Sequence, residues 1–262
     1  MDINNISLAG TYFSQFGEDK ILASIFKGKT TGFCIEVGAN DGIHGSTTFY
    51  FERAGWDCLL IEPNPTLCEQ IRAIRTASVV ECAASSQRGR VELLVATGAP
   101  LAHGVSTIEA GEGAIKKIQS YGFSYKKIMV ESLPLDEILS VYATGREIDF
   151  VSVDVEGHEL EVLKGFDLDR WQPTILLLED NFNGTDTTVR DYLARCGYYP
   201  FRRTGVNDWY AKQGGKYKLI TLQNRVPYFL GMWLKKQRER LKKKTTIRAL
   251  WKAWKKILGA KK

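Results

Sequence analysis

The most informative ten residues of this 262-residue chain are FCIEVGANDG, from Phe33 to Gly42. The stretch begins as a short apolar run, which is typical of a buried strand. It ends in a turn in which Gly38 and Gly42 allow a sharp change of direction and a close approach of a ligand to the backbone. In open α/β sheets, ligands bind beyond the carboxyl ends of the strands. The stretch therefore predicts a ligand site directly after a first parallel strand.

Further apolar runs continue this pattern along the chain. Predicted strands cover 33–37, 58–61, 78–82, 91–96, 148–153 and 174–179, and predicted helices cover 45–54, 65–75, 158–164 and 186–195. The residues after Gly197 resemble an edge hairpin. Strands that alternate with helices of this length predict an α/β, Rossmann-like fold, with a mostly parallel sheet and helices on both faces.

The first turn carries an acid in place of the glycine pattern that binds pyrophosphate. The sequence is E-V-G-A-N-D-G and not G-x-G-x-x-G, which disfavours a dinucleotide-dependent dehydrogenase. Glu36 suits a cationic ligand, and S-adenosylmethionine has an ammonium group, a sulfonium and no phosphate. The alternative for Glu36 is a charge at the strand edge that pairs with an arginine.

The next two predicted strands end in residues that suit a nucleoside. Glu62 follows Glu36 by 26 residues and ends the second strand, where an acid can accept hydrogen bonds from both ribose hydroxyls. Ala83 and Ala84 follow the third strand and are small enough to leave room for an adenine ring. The alternative for Glu62 is an exposed acid before the turn at 63–65. Together these positions predict S-adenosylmethionine as the cofactor.

Three titratable side chains follow the strand at 148–153, namely Asp154, Glu156 and His158. Groups this close perturb one another's pKa values, which is typical of general acid–base catalysis. These three are the predicted catalytic residues. Alternatives remain, because Glu156 also suits the start of a helix, and His158 also suits a solvent-facing first turn.

Six stretches, in order, resemble the FkbM family of S-adenosylmethionine-dependent O-methyltransferases. They are SQFGEDKIL (14–22), IEVGANDG (35–42), GWDCLLIEPNP (55–65), STI (106–108), LPLDEIL (133–139) and IDFVSVDVEGHELEVLKG (148–165). The resemblance implies a class I methyltransferase fold with a seven-stranded sheet and a late antiparallel strand. It also implies methyl transfer to a hydroxyl, often on a sugar, a polysaccharide or a polyketide.

The resemblance also implies roles for individual positions. It places Asp154 and Glu156 on the catalytic face, and we expect Gln15 and Asp19 to help close the site. The family often has Ser-Asn-Thr where this chain has Ser-Thr-Thr at 46–48. The predicted cofactor-binding residues are Glu36, Gly38, Asn40, Asp41, Gly42, Glu62, Ala83 and Asp154.

A metal is a further expectation. Asp180 and Asn181 follow the strand at 174–179, and Asp180 comes 26 residues after Asp154. This arrangement resembles the magnesium site of catechol O-methyltransferases, so Asp154, Asp180 and Asn181 are candidate ligands. Mg²⁺ prefers such hard oxygen ligands and would lower the pKa of an acceptor hydroxyl. The alternative is that Asp180 and Asn181 only begin a turn.

The C-terminal residues differ sharply in charge from the rest. Residues 225–262 contain 14 Lys and Arg against one acid, a net charge of +13, whereas residues 1–224 have a net charge of −7. We therefore divide the chain into a methyltransferase domain (1–224) and a basic helical tail (225–262). The predicted apolar stripe of the tail consists of Ile247, Leu250, Trp251, Trp254, Ile257 and Leu258.

A helix with tryptophan on one face and lysine on the other suits an anionic membrane surface. The alternatives are packing of the stripe against the chain's own domain and a coiled coil with a partner. Nucleic-acid binding is not expected, because the charge is confined to the tail and no nucleic-acid-binding fold is evident.

The predicted location is the cytoplasm, at the inner face of the membrane. The N-terminal residues lack the pattern of a signal peptide, and no run of about 18 apolar residues is present. Five cysteines without a C-x-x-C pair predict free thiols in a reducing compartment.

These observations predict an O-methyltransferase of polysaccharide biosynthesis that acts on a sugar hydroxyl in a glycan or a lipid-linked saccharide. One alternative is a small-molecule O-methyltransferase that uses its tail to oligomerise. The other is a non-catalytic adaptor, which would have no need of Glu36, Asp41, Glu62 and Asp154 together.

Overall fold

The computed structural model describes residues 12–108, 111–182, 184–221, 223–234 and 237. Its strands are β1 (Phe33–Val37), β2 (Asp57–Glu62), β3 (Ser78–Glu81), β4 (Ala83–Ser85), β5 (Gly89–Thr97), β6 (Ser124–Pro134), β7 (Phe150–Val153), β8 (Ile175–Glu179), β9 (Tyr198–Thr204) and β10 (Asn207–Lys212). Its helices are α1 (Glu18–Ile25), α2 (Phe49–Arg53), α3 (Pro65–Ile74), α4 (Glu112–Ser120), α5 (Leu135–Tyr142), α6 (Glu159–Lys164), α7 (Leu168–Trp171) and α8 (Thr188–Arg195), followed by a helix over 223–234.

Seven strands form the main sheet, in the order β3-β2-β1-β7-β8-β10-β9. The first five are parallel, and β10 runs antiparallel to both of its neighbours. Chain order reverses between β1 and β7, and in sheets of this kind such a switch point carries the ligand site. The predicted mostly parallel sheet with a late antiparallel strand is confirmed.

Both faces of the main sheet are covered, which explains why its strands are apolar without alternation. All five residues of β1 are buried. Ile35 packs on one face with residues of α5, α6 and α8, and Cys34 packs on the other face with residues of α1 and α2. All five cysteines are free thiols, and four of them are buried.

The predicted strand at 91–96 does not join the main sheet. It is part of β5, which forms a second, three-stranded sheet in the order β4-β6-β5. The partner β6 was not predicted, because exposed lysines and a glutamate interrupt its apolar residues and no clear alternation results. The segment 98–125, which none of the predicted helices covers, contains α4 and a short 3-10 helix at Ala102–Val105.

The predicted helix at 45–54 is shorter in the structure, where α2 begins only at Phe49. The reason is that Ser46, Thr47 and Thr48 are held by hydrogen bonds to the carboxylate of Glu36. The predicted apolar stripe of the tail, from Ile247 to Leu258, lies outside the described residues. Within the described part of the chain, no helix has the length and hydropathy needed to cross a membrane.

Candidate active site

A cleft of about 670 Å³ opens at the carboxyl ends of β1, β2, β3 and β7, and we call it the β1–β2 cleft. Its walls include Gly38, Asn40, Glu62, Ala83 and Asp154, all of which were predicted as cofactor-binding residues. They come from four separate segments, and the sheet brings them together because parallel strands end at one edge.

At Gly38, the turn after β1 lies in close contact with the turn after β7. It has a φ of +83°, and a Cβ atom placed on it would lie 1.8 Å from the carbonyl oxygen of Asp154. Its N–H donates to the carbonyl of Ile61 at 2.9 Å. Any side chain at this position would push the turn after β1 away from the turn after β7.

Glu62 ends β2 with a buried carboxylate that lines the cleft. Its two oxygens accept hydrogen bonds from the N–H groups of Asn40 and Asn64, each at 2.9 Å. Burial raises the pKa of Glu62 to about 7, although these two hydrogen bonds act in the opposite direction. Each oxygen keeps acceptor capacity for a further donor, as a ribose diol would require.

The remainder of this cleft is mostly apolar. Small side chains at Ala83 and Ala84 leave space between the larger walls formed by Leu67, Leu93 and Ile108. An apolar slot beside a buried acid that can accept hydrogen bonds suits the base of a nucleoside.

Asn40 joins the cleft to the segment that follows β5. Its backbone is left-handed, with a φ of +54°, and its side-chain oxygen is hydrogen-bonded to Nδ1 of His103. Burial lowers the pKa of His103. His103 lines the same cleft, and sequence reasoning missed it because no motif marks it.

Glu36 lies behind the turn, and the hydroxyls of residues 46–48 satisfy its carboxylate. It accepts hydrogen bonds from Ser46 Oγ at 2.6 Å, from Thr47 N at 2.8 Å and from Thr48 Oγ1 at 2.5 Å. The Ser-Thr-Thr variant of the family pattern therefore still supplies the donors that this acid needs. Glu36 also borders a second cleft, described below.

Arg75 completes this polar network, although no motif in the sequence marks it. Its buried guanidinium contacts Ser46 Oγ at 3.3 Å, Thr48 Oγ1 at 3.1 Å and the carbonyl of Gly42 at 2.5 Å. Its Nε pairs with Glu52 at 2.6 Å. The network fixes the turn between β1 and α2 from behind.

Asp41 and Gly42 belong to the turn itself and lie outside the wall of the cleft. Asp41 accepts hydrogen bonds from the N–H groups of Ile43 and His44 and pairs with the ring of His44 at 2.5 Å. Burial raises the pKa of Asp41, but these hydrogen bonds outweigh it and the net change is downward. The structure thus gives both residues a part in shaping the turn.

Three carboxyl groups meet where the ends of β7 and β8 adjoin. Asp154, Glu156 and Glu179 each place an oxygen within 4.8 Å of the other two. Asp154 is exposed to the water of the cleft, yet protein surrounds it on most sides. Poor hydration, together with the charges of Glu156 and Glu159, raises the pKa of Asp154 to about 7.

Glu179 is the member of this acid cluster that sequence reasoning missed. Burial, followed by the charge of Asp154, raises its pKa to about 9. Its Oε2 is buried and accepts no hydrogen bond from the described residues. Its hydrogen bond to Asp154 lowers the pKa of that acid. Near neutral pH the two acids therefore share one proton, and the higher pKa favours Glu179 as its holder.

Two contacts hold Glu156 in place within the cluster. Lys117 of α4 pairs with it at 2.6 Å, and its carbonyl accepts a hydrogen bond from Thr107 Oγ1 at 3.0 Å. Its backbone is left-handed, with a φ of +56°. The turn is further fixed by Glu159, which accepts hydrogen bonds from the N–H groups of Val155 and Gly157.

The structure places three predicted residues differently from expectation. His158 directly precedes α6, and its Nε2 lies 3.0 Å from Ser85 Oγ, behind the cleft rather than in its wall. Asp180 pairs with Arg203 at 2.7 Å and accepts the N–H of Gly184, so its carboxylate is turned away from Asp154. Asn181 lines the second cleft without joining the acid cluster.

This second cleft, the β7–β8 cleft, is an open space of about 1490 Å³ on the other side of Asp154. Its walls are largely polar and include two aromatic rings, from Phe16 and Tyr121. Gln15 also lines it, and Asp19 holds the preceding loop by accepting the N–H of Ser14. The two clefts share Gly38, Asn40, Gly104, Asp154 and Glu156.

A family comparison agrees with this geometry. The sequence model of the methyltransferase FkbM domain matches residues 36–200, which contain both strand-end turns and the acid cluster. The chain belongs to the FkbM methyltransferase family. Family and fold together imply S-adenosylmethionine as the methyl donor. No curated protein matched the chain in a sequence search.

Solved structures similar to this FkbM methyltransferase are distant in sequence. Precorrin-6y C5,15-methyltransferase from Geobacter metallireducens is 14% identical with a TM-score of 0.39, covering 80% of this chain and 94% of that one. A TehB-like SAM-dependent methyltransferase from Corynebacterium glutamicum is 13% identical with a TM-score of 0.38, covering 80% of this chain and 93% of that one.

The residues of the FkbM methyltransferase fit this donor. The β1–β2 cleft offers an acid for the ribose and an apolar slot for the adenine, as described above. Where the two clefts meet, the carboxylates of Asp154 and Glu156 suit the cationic end of the molecule. Among the described residues that line the β1–β2 cleft there is no lysine or arginine to bind a phosphate, consistent with the lack of the G-x-G-x-x-G pattern.

Proposed function

We propose that this chain is an S-adenosylmethionine-dependent O-methyltransferase that acts on a sugar hydroxyl in a glycan or a lipid-linked saccharide. The observation that carries the proposal is the acid cluster of Asp154, Glu156 and Glu179, which lies between a mostly apolar cleft and a more polar one. A transfer reaction needs such an arrangement, with one compartment for the donor and one for the acceptor.

Glu62 and Asn40 would hold the nucleoside of the donor, and Ala83 would accommodate its base. When bound, S-adenosylmethionine supplies the methyl carbon, and its carbon–sulfur bond breaks as the bond from carbon to the acceptor oxygen forms. Gly38 keeps the turn after β1 close to Asp154, so the donor and the acceptor are aligned at the junction of the clefts. Alignment of reacting groups can contribute roughly 7–11 kcal/mol in favourable intramolecular cases.

Asp154 is the proposed general base. A sugar hydroxyl is a poor acid, so its proton must be accepted as the new bond forms. Asp154 has a pKa of about 7 and faces the cleft, so a large fraction of it is ionised at neutral pH. The protonated Glu179 beside it donates a hydrogen bond to the ionised form. Glu156, held by Lys117, adds negative charge that makes Asp154 a stronger base.

The β7–β8 cleft supports a large polar acceptor. Its volume exceeds that of the donor cleft, and its polar side chains can bond to several hydroxyls. The rings of Phe16 and Tyr121 offer apolar faces of the kind on which sugar rings stack. A small-molecule acceptor would leave much of this space filled with water.

Magnesium chemistry is the second candidate, favoured by the convergence of the three carboxylates within 4.8 Å. Its ligands would be Asp154, Glu156 and Glu179, and not the Asp180 and Asn181 expected from the sequence. A chelator separates the two mechanisms. An enzyme that relies on Asp154 alone as its base keeps its rate in EDTA, whereas a metal-dependent one loses it and regains it with added Mg²⁺.

The test of this proposal is transfer of radiolabelled methyl groups to a panel of acceptors. The panel would contain polyprenyl-phosphate-linked saccharides, nucleotide sugars, free oligosaccharides and small phenols. The proposal expects alkali-stable label on a sugar. Label only on phenols would favour the small-molecule alternative, and absence of transfer together with absence of donor binding would favour the adaptor.

A further inference from the structure

The helix over 223–234 carries two apolar faces, and only one of them packs on the domain. Tyr228 and Met232 are buried against the rest of the chain. The opposite side consists of residues spaced i, i+3, i+4, i+7 and i+8, the pattern of one continuous helical face. Their side chains are between 41% and 57% exposed, and they are Val226, Phe229, Leu230, Trp233 and Leu234. We call these five residues the outer face.

The buried side fixes this helix to the loop after β8. A Cβ atom on Gly184 would lie 1.8 Å from the terminal methyl carbon of Met232, so the helix rests directly on the backbone of that loop. The hydroxyl of Tyr228 donates to Asp208 at 3.1 Å. Asp208 in turn pairs with Arg203, which also pairs with Asp180.

The same loop borders the proposed acceptor cleft. Asn181, directly after Asp180, lines the β7–β8 cleft. The helix that carries the outer face therefore packs on the same loop that lines the proposed acceptor cleft. A surface that bound the outer face would lie next to the β7–β8 cleft.

The charge of the residues next to the outer face indicates which kind of surface this face binds. Lys235 and Lys236 follow the outer face immediately in the sequence, and residues 225–262 contain 14 basic residues against one acid. Aromatic and aliphatic side chains followed directly by cations suit the boundary between lipid headgroups and acyl chains. A protein partner at the outer face would need an acidic surface to match this charge, and the domain of a second copy, with its net charge of −7, is such a partner.

We propose that the outer face inserts into an anionic bilayer and holds the acceptor cleft at the membrane, so that the acceptor is a lipid-linked saccharide. The identity of the acceptor rests on the proposed function, whereas insertion of the outer face into a bilayer is tested separately. A second copy of the chain, or the apolar stripe of the tail, is the competing occupant of the outer face.

The experiment uses the full chain, because ending it before Tyr228 would remove contacts to Asp208 and Gly184. Leu230→Glu, Trp233→Glu and the double variant are compared with wild type for binding to vesicles of phosphatidylglycerol and phosphatidylcholine. The matched control is Val141→Glu on α5, where the side chain is 75% exposed. All five proteins are first checked for folding by circular dichroism.

The expected result is a drop in vesicle partitioning of about tenfold or more for the double variant, which corresponds to roughly 1.4 kcal/mol of lost insertion free energy. Each single variant shows part of this loss and keeps the inference testable if the double variant does not fold. Val141→Glu binds like wild type, and vesicles of phosphatidylcholine alone bind all proteins weakly.

Equal vesicle binding by the variants and wild type would overturn the inference. A change in oligomeric state without a change in vesicle binding would also overturn it and assign the face to a second copy. Calorimetric binding of S-adenosylmethionine, measured without vesicles, reports on the proposed function alone. If wild type binds S-adenosylmethionine and the variants bind vesicles as wild type does, only the membrane inference is contradicted. If wild type does not bind S-adenosylmethionine, only the proposed methyltransferase function is contradicted.

Discussion

The carboxyl groups of Asp154 and Glu179 lie side by side at the ends of two neighbouring parallel strands, β7 and β8. Two ionised carboxylates cannot hydrogen-bond to each other, so one of them must hold a proton. Burial raises the pKa of both groups, that of Glu179 to about 9 and that of Asp154 to about 7, so the pair shares one proton near neutral pH. A proton that lies mainly on Glu179 fits the proposed role of Asp154 as the general base.

Replacing the base is expected to slow the reaction without abolishing donor binding. Asp154→Asn keeps the shape of the side chain but cannot accept the acceptor proton, so kcat should fall by about 10²–10⁴-fold. The affinity for S-adenosylmethionine should fall by less than kcat does, because Glu156 still places a carboxylate beside the cationic end of the donor. Single-turnover transfer and calorimetry measure the two quantities separately. A variant that turns over at the wild-type rate would assign the base elsewhere.

The pH dependence of the rate should report the titration of Asp154. Because the base must be ionised, kcat should rise with pH and reach half of its maximum near pH 7. In Glu156→Gln a charge that raises the pKa of Asp154 is gone, so the midpoint should move down by roughly one pH unit.

Glu179→Gln is the matched control for that shift. Glutamine is uncharged and can donate a hydrogen bond, as the protonated Glu179 does, so the midpoint should stay near that of wild type. A downward shift as large as that of Glu156→Gln would mean that Glu179 is ionised at neutral pH.

Two glycines with similar backbones should respond differently to alanine. Gly38→Ala places a Cβ atom 1.8 Å from Asp154 O, whereas Gly45→Ala, at a φ of +79°, meets nothing within 4 Å. Gly45→Ala should cost only about 1–2 kcal/mol of unfolding free energy from its left-handed conformation. Gly38→Ala should cost clearly more and abolish donor binding. Denaturant unfolding and calorimetry check both, and equal losses would contradict the proposed role of the contact.

Two arginines allow a similar comparison for the network behind Glu36. Arg75→Met leaves Glu52 without its buried partner and should reduce the unfolding free energy by about 3–5 kcal/mol. Arg72→Met breaks only the exposed pair with Glu81 and should cost less than about 1 kcal/mol. Chemical denaturation measures both values. A small loss for Arg75→Met would show that the network does not stabilise the turn.

Residues next to a strand end were the easiest to predict from the sequence. Gly38, Glu62 and Asp154 each follow or end a recognisable apolar run, and parallel pairing then brings those ends together. The main sheet was predictable for the same reason, since its buried strands read as continuous apolar stretches. The strand β6 was not, because its side chains are mostly exposed.

The residues that were missed act through long-range contacts. Arg75 reaches Glu36's partners from the end of α3, and Lys117 reaches Glu156 from α4. Glu179 ends a strand, like Glu62, but the neighbouring Asp180 drew the metal prediction instead. Alternate residues of a strand point to opposite faces, and the sequence did not show which of the two adjacent acids would face Asp154.

The residues whose positions differ from the sequence prediction are held by contacts outside the acid cluster. His158 precedes the first turn of α6 and contacts Ser85, so its ring is fixed away from the cleft. Asp180 accepts backbone N–H groups of the next turn and pairs with Arg203. For Asp180, the turn that the sequence analysis kept as an alternative is the arrangement found in the structure.

The most direct test of the account is a calorimetric titration of S-adenosylmethionine into wild type, Glu62→Ala and the exposed-acid control Glu69→Ala. We expect micromolar binding by wild type and the control. We expect a loss of about tenfold to a hundredfold in Glu62→Ala, since a hydrogen bond to a charged group contributes about 1.5–3 kcal/mol. The affinity of wild type should also fall as the pH drops below 7, where Glu62 gains its proton. Equal binding by all three proteins would contradict the assignment of Glu62, and no binding by wild type would contradict the account as a whole.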